Sequence, residues 1–284
     1  IGKSRLVDEL LRQLQDDGED LNFLFGSYPP TGSSAAHGAL STAFAAHLGE
    51  AGSAPYLAER PALVPAFDAV LRGEPAPAGA IELTRDSLAT AFAEAACSLA
   101  EERPTVILLD DLHFAPQDAR DLYLSIALVA PGSRLLLVGT SRPALPEAWR
   151  ARLLALEGAH AVGLARLSGK DLADLLVDAF QSKRLAEELA FKLLSKSDGN
   201  PFFVFEIIRG LREGRFLAQG QDGSWHTTRV IEDIEIPSSI LDLVNARVAD
   251  LPRLERNVLD VASCQGFDFD PALVAEILVI GRIE

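Results

Sequence analysis

Apolar residues recur along this chain in two rhythms. Residues 5–15 place Leu6, Val7, Leu10, Leu11 and Leu14 on one face at helical spacing. Asp86–Glu101 repeats the pattern with Leu88, Phe92, Ala96 and Leu99, and a further helix is expected from Ala119 to Val129. Against these stand short uninterrupted apolar runs. Val106–Leu109 and Leu135–Gly139 read as strands buried on both faces, residues 22–28 as a short strand and Ala161–Leu164 as a further one. Strand–helix–strand order with continuous apolar strands predicts an α/β fold with a parallel sheet sandwiched by helices.

Residues 30–80, rich in Ala, Gly, Pro and Ser, read as an insertion with helical patches at His37–Leu48 and Ala62–Leu71 and a flexible part near Arg72–Ala80. After Ser168 the rhythm becomes wholly helical, at Lys170–Ala179, Leu185–Ser195 and Pro201–Glu213. A hairpin is expected over 214–235, turning at Asp222-Gly223 between Phe216-Leu217 and Trp225. Helices over Ser238–Ala249 and Pro252–Ser263, and one beginning near Asp270, complete the pattern. The expected division is a nucleotide-binding core over 1–168, an all-α lid over 169–213 and a partial winged-helix-like module over 214–284.

Chemistry enters at two places. The chain opens Ile1-Gly2-Lys3-Ser4 directly before its first helix, as the second half of a phosphate-binding loop G-x-x-x-x-G-K-S/T would. There, backbone N–H groups of Gly2, Lys3 and Ser4 at a helix N-terminus face phosphate oxygens, Lys3 reaches the β and γ phosphates, and the Ser4 hydroxyl ligates Mg²⁺. Arg5, next in line, belongs to the same nucleotide-binding set. The second place is the end of Val106–Asp111. A buried parallel strand delivers its last residues to the carboxyl edge of the sheet, where ligands bind in open α/β folds. Asp110 then holds Mg²⁺ through water, and Asp111 orients or deprotonates the attacking water. Either motif alone has a plain alternative, a chance Gly-Lys-Ser or two carboxylates capping a turn. Together, in order and in their settings, they predict a P-loop NTPase site for ATP or ADP with Mg²⁺.

Two more segments bear on it. Gly139-Thr140-Ser141-Arg142-Pro143 follows the strand beside Asp110, which makes Arg142 either a γ-phosphate sensor or a surface arginine before a proline turn. Gly199-Asn200-Pro201-Phe202-Phe203 reads as a C-cap glycine and a proline opening the next helix, with Pro201 also a candidate to pack on the nucleotide base. His113 either contributes to the site or hydrogen-bonds locally. Arg120, Arg150 and Arg152 are loose candidates for an arginine finger.

Composition narrows the partners. Net charge is −15, from 41 acidic and 26 basic residues, so direct nucleic-acid binding by this segment is not expected. No run is apolar for long enough to span a bilayer, which leaves no membrane role. Cys97 and Cys264 show no metal spacing and read as two buried free thiols in a reducing cytoplasm. No zinc ligand set and no G-x-S-x-G nucleophile motif occurs. The absence of methionine and the P-loop cut at residue 1 read as a fragment truncated at its N-terminus.

With these motifs in hand the chain resembles the STAND-type AAA ATPase domain of the AAA+ superfamily, found in bacterial LuxR-type regulators, cyclase fusions and beside some protein kinase domains. The resemblance rests on Gly2-Lys3-Ser4-Arg5-Leu6, Leu108–Ala115, Gly139–Pro143, Gly199–Phe203, Ile236-Pro237-Ser238, Asn245-Ala246-Arg247 and Leu251. It implies Lys3 and Ser4 on phosphate and Mg²⁺, Asp110 on Mg²⁺, Asp111 as catalytic acid, Arg142 as γ-phosphate sensor and Pro201 at the base. Phe114 stands where a Trp is common and Gln117 where an acid is frequent. The implied function is an ATP-binding, slowly hydrolysing regulatory switch in a larger cytoplasmic signalling or transcription-regulatory protein. Its partners would be effector or sensor domains of the same polypeptide, with nucleotide-dependent self-association a further mode. The rival readings are a nucleotide-loaded scaffold without turnover, and a DNA-engaging loader, which the acidic balance disfavours.

Overall fold

The computed structural model describes residues 2–18, 20–30, 38–221, 223–228, 244–245, 248–249, 251–266 and 269–280. By its contacts the chain divides into two compact units, Ser4–Val162 and Gly163–Glu284 together with Ile1–Lys3.

The first unit is built on a parallel sheet. Strand β1 (Asn22–Ser27) pairs with β2 (Thr105–Asp110), and β2 pairs with β3 (Leu135–Gly139). The register places Ser27 opposite Asp110 and Gly139 opposite Leu109, so all three strands end at one edge. β2 is central and buried through Leu109, as its unbroken apolar run requires. At the far edge Asn22, itself buried, donates from Nδ2 to Leu99 O and to Thr105 Oγ1, both at 3.2 Å, which satisfies a polar group that would otherwise be costly to bury.

Helix α1 (Lys3–Asp16) precedes the sheet, and none of its described residues is buried. α2 (Gly38–Leu48) packs on β1, α4 (Arg85–Glu102) packs on β2 and β3, and α5 (Gln117–Val129) lies against α4. The stretch expected to be an insertion instead contributes to the core. α2 and α3 (Val64–Arg72) bury Leu40, Phe44 and Phe67 in the same cluster as Leu24, Ile107 and Leu109. Phe92 of α4 lies at its centre, with Phe44 and Phe67 edge-on to it at centroid distances of 5.2 and 4.8 Å. Their helical spacing is visible in sequence, but not that the helices return to the sheet.

Three further expectations need correction. Ala161–Leu164 forms no strand: Val162 is 78% exposed, and the unit boundary falls inside the segment. A strand exists only where a neighbour pairs its N–H and C=O groups, and β3 pairs with β2 alone among the described strands. β3 is also not covered on both faces, and Leu136 is half exposed. Helix α6 (Glu147–Leu154) was not expected. Its alternation is weak, and it is held by Trp149, which is buried on Tyr123 and donates from Nε1 to Arg120 O at 3.0 Å.

The second unit gathers α7 (Gly169–Phe180), α8 (Lys183–Ser197) and α9 (Pro201–Glu213) around Leu172, Leu176, Leu189, Leu193, Val204 and Ile207. Ser168 and Asp171 form a reciprocal capping box at the start of α7. Strands β4 (Leu217–Gln219) and β5 (Trp225–Thr227) pair antiparallel, and Arg212 of α9 lies over the Trp225 ring at 4.5 Å. Their connection is longer than a two-residue turn, since Gly220 N donates to Ser224 O at 2.7 Å before the chain reverses. Helices α10 (Arg253–Ser263) and α11 (Pro271–Leu278) pack on each other. His37, Asp222, Ile236-Pro237-Ser238, Ala246-Arg247 and most of the expected helix Ser238–Ala249 lie outside the described residues. Cys264 is exposed rather than buried. Cys97 is half-buried, and burial pushes its thiol up, away from the reactive thiolate.

Candidate functional site

The carboxyl edge of the sheet brings together the end of β2 and the segment after β3. Asp110 closes β2, and its carboxylate accepts a short hydrogen bond from the Thr140 hydroxyl. The same hydroxyl accepts from the Asp111 backbone N–H at 3.1 Å. Thr140 N donates to Leu109 O at 3.0 Å, and Leu112 N returns a bond to Thr140 O at 2.9 Å. Thr140 is thus a buried clasp between the two strand ends. The sequence singles out Arg142 in this segment and does not assign Thr140. A side-chain hydroxyl directly after an apolar strand beside the acidic pair was the available signal.

Asp111 takes φ +54°, in the left-handed region. Aspartate tolerates that conformation better than most residues, and non-glycine residues held there cluster at functional sites. The turn leads into a short 3-10 turn over Leu112–Phe114, which buries Leu112 beneath the edge. Gly139 has no room for a side chain: a Cβ there would lie 2.3 Å from Leu112 Cδ1 and 2.9 Å from the Tyr123 hydroxyl. Burial pushes the Tyr123 phenol far above its ordinary range, so it stays neutral beneath the edge.

His113 stacks on Phe114, with centroids 4.0 Å apart, and its side chain is 4% exposed. Its Nδ1 accepts from the Arg142 backbone N–H at 3.4 Å and lies 3.7 Å from Asp111 Oδ1. The Arg142 side chain is exposed and makes no ion pair among the described residues.

Of the sequence-derived candidates, the first unit therefore unites Asp110, Asp111 and Arg142 at one edge. Ser4 and Arg5 also belong to this unit. Both are exposed on α1, where Arg5 pairs with Glu9 at 3.8 Å. Gly2, at φ +83°, and Lys3, the first residue of α1, group with the second unit. Pro201 is the first residue of α9, where Asn200 Oδ1 accepts from Phe202 N and Phe203 N. The glycine before it is not alone in turning the chain, because Asp198 and Gly199 are both left-handed. Arg120 is committed elsewhere, donating to Ala115 O at 2.7 Å, and Arg150 pairs with Glu147.

Oxygen donors at Asp110 and Ser4 suit a hard divalent cation. No group of three or more His, Cys, Asp or Glu able to hold a metal forms among the described residues. Mg²⁺ needs none, since it is commonly held by one or two carboxylates plus substrate phosphates.

A parallel sheet flanked by helices, with an acid pair clasped at the carboxyl edge of its central strand, places the chain in the broad class of α/β proteins. Residues 1–138 match the AAA ATPase domain family. Three solved chains of Thermotoga maritima RuvB are similar to it. One point mutant has 19% identity and a TM-score of 0.30, covering 82% of this chain and 83% of that chain. A second mutant has 18% identity and a TM-score of 0.28, covering 78% and 81%. The third, described as the Holliday junction branch migration motor, has 16% identity and a TM-score of 0.29, covering 99% and 83%. No curated protein matches the sequence.

Proposed function

We propose that the chain is an ATP-binding, slowly hydrolysing switch within a larger cytoplasmic regulatory protein of the STAND type. The observation that carries this reading is the Thr140 clasp on Asp110 and Asp111, both inside the segment that matches an AAA ATPase domain. In this reading Gly2, Lys3, Ser4 and Arg5 take the phosphates, and Pro201 packs on the base. Asp110 and Ser4 hold Mg²⁺, which when bound neutralises charge on the β and γ phosphates. Asp111 accepts a proton from, or orients, the attacking water, while Arg142 senses the γ-phosphate. Residues 169–213 act as a lid and 214–284 as a winged-helix-like module whose arrangement differs between the ATP and ADP states.

The test is a titration of Mg-ATP onto the protein and its Lys3→Ala variant. Micromolar binding that is lost in the variant supports the site, and absence of binding in both sinks the reading. The second reading, a loaded scaffold without turnover, is separated by Asp111→Asn. Asparagine also tolerates the left-handed backbone at this position, so the change removes charge without straining the turn. We expect nucleotide affinity to hold and turnover to fall roughly 10²- to 10⁴-fold. Signalling that survives Asp111→Asn but not Lys3→Ala favours the scaffold.

A further inference from the structure

The His113 side chain faces both the acid pair and the Arg142 segment. Its ring is nearly fully enclosed and stacked on Phe114, so its orientation is set by packing. Nδ1 lies 3.4 Å from the Arg142 backbone nitrogen, which donates to it, and 3.7 Å from Asp111 Oδ1, which is an acceptor. A single ring nitrogen carries either a lone pair or a proton. It can therefore serve the Arg142 amide or the Asp111 carboxylate, never both.

We propose that His113 is a positioning residue that couples the Asp111 carboxylate to the Arg142 segment through the tautomer of its imidazole. This inference rests on the nucleotide reading above. Without a γ-phosphate, Nδ1 is unprotonated, Nε2 carries the proton, and the Arg142 amide is anchored on the ring. When a γ-phosphate draws in the Arg142 guanidinium, its backbone N–H leaves Nδ1. Because Nε2 is buried, the exchange takes place as the ring opens transiently to solvent: a proton arrives on Nδ1 as another leaves Nε2, with no net change in charge. The new Nδ1–H donates to Asp111 Oδ1 across a gap that a small ring rotation closes. The carboxylate thereby gains this donor when there is a phosphate to hydrolyse, much as a hydrogen-bonded neighbour sets the role of each nitrogen in other histidine pairs.

The experiment uses the protein with ¹⁵N-labelled histidine. Nitrogen chemical shifts of His113 are recorded nucleotide-free, with Mg-ADP and with a non-hydrolysable Mg-ATP analogue, and binding of each nucleotide is measured on the same samples. The expected result is an unprotonated Nδ1 in the first two states and a protonated Nδ1 with the ATP analogue. Identical Nδ1 shifts with bound ADP and bound analogue overturn the coupling while leaving the nucleotide reading intact. Failure to bind either nucleotide removes both. As a second measurement, His113→Phe keeps the stacking ring and deletes the nitrogen. We expect roughly a hundredfold fall in kcat, the scale of ångström-level mispositioning, with ADP affinity preserved. Adding Arg142→Ala to His113→Phe should cost less than Arg142→Ala alone, and strict additivity would contradict the coupling.

Discussion

Thr140 shows how much a single hydroxyl can organise. It donates to Asp110, accepts from the Asp111 N–H, and is itself buried. Thr140→Val keeps the shape and removes both bonds, leaving a carboxylate oxygen and a backbone N–H without that partner. Exchanging a bonded buried polar group for an apolar one in this way costs about 1–3 kcal/mol. Chemical denaturation should register that loss, and Mg²⁺-dependent nucleotide affinity should weaken with it. A variant of unchanged stability would mean that water replaces the hydroxyl. The acid pair itself was legible in sequence, since an apolar strand ending in Asp-Asp needs no tertiary information. Its clasp was not, because Thr140 lies 29 residues from Asp111 and only strand pairing unites them.

Among the elements, α2 and α4 meet through Phe44 and Phe92, with Phe67 of α3 closing the cluster. Phe92→Ala removes the ring both others pack on and should cost about 3–5 kcal/mol, read from the unfolding of the Ser4–Val162 unit. α2 also carries His47. Burial first, and the Arg103 charge second, hold its imidazole below the ordinary value of 6.5. The folded state therefore resists a proton that the unfolded chain accepts. This contribution to stability is complete above 6.5 and is lost as pH falls below it towards the folded value. Thermal unfolding followed from neutral to mildly acidic pH should show this slope, and His47→Gln should flatten it. Helical periodicity foretells α4, α5 and α7 to within a few residues. α6 escaped because its stabilising contact, Trp149 on Tyr123, is made with another helix.

Over the whole molecule, charge is the property that reaches furthest. The net −15 is spread along the chain, and residues 214–284 hold twelve acidic residues against six arginines and no lysine. This segment should show no DNA binding by fluorescence anisotropy at low salt, and salt-sensitive binding would revive the DNA-engaging reading. No helix among the described residues is long and apolar enough to cross a membrane.

Sequence alone determined what depends on near neighbours: helical faces, capping residues, the apolar run of β2 and the order of the phosphate and acid motifs. These follow from side-chain periodicity and local hydrogen bonding, which act over a few residues. The tertiary structure decided what depends on distant partners. It drew α2 and α3 into the core and left Ala161–Leu164 outside the sheet. It also turned Asp111 left-handed, with its amide on the Thr140 hydroxyl, and set His113 between Asp111 and Arg142. A strand or a site becomes real only when another segment supplies the complementary donors and acceptors, and that choice is made in three dimensions.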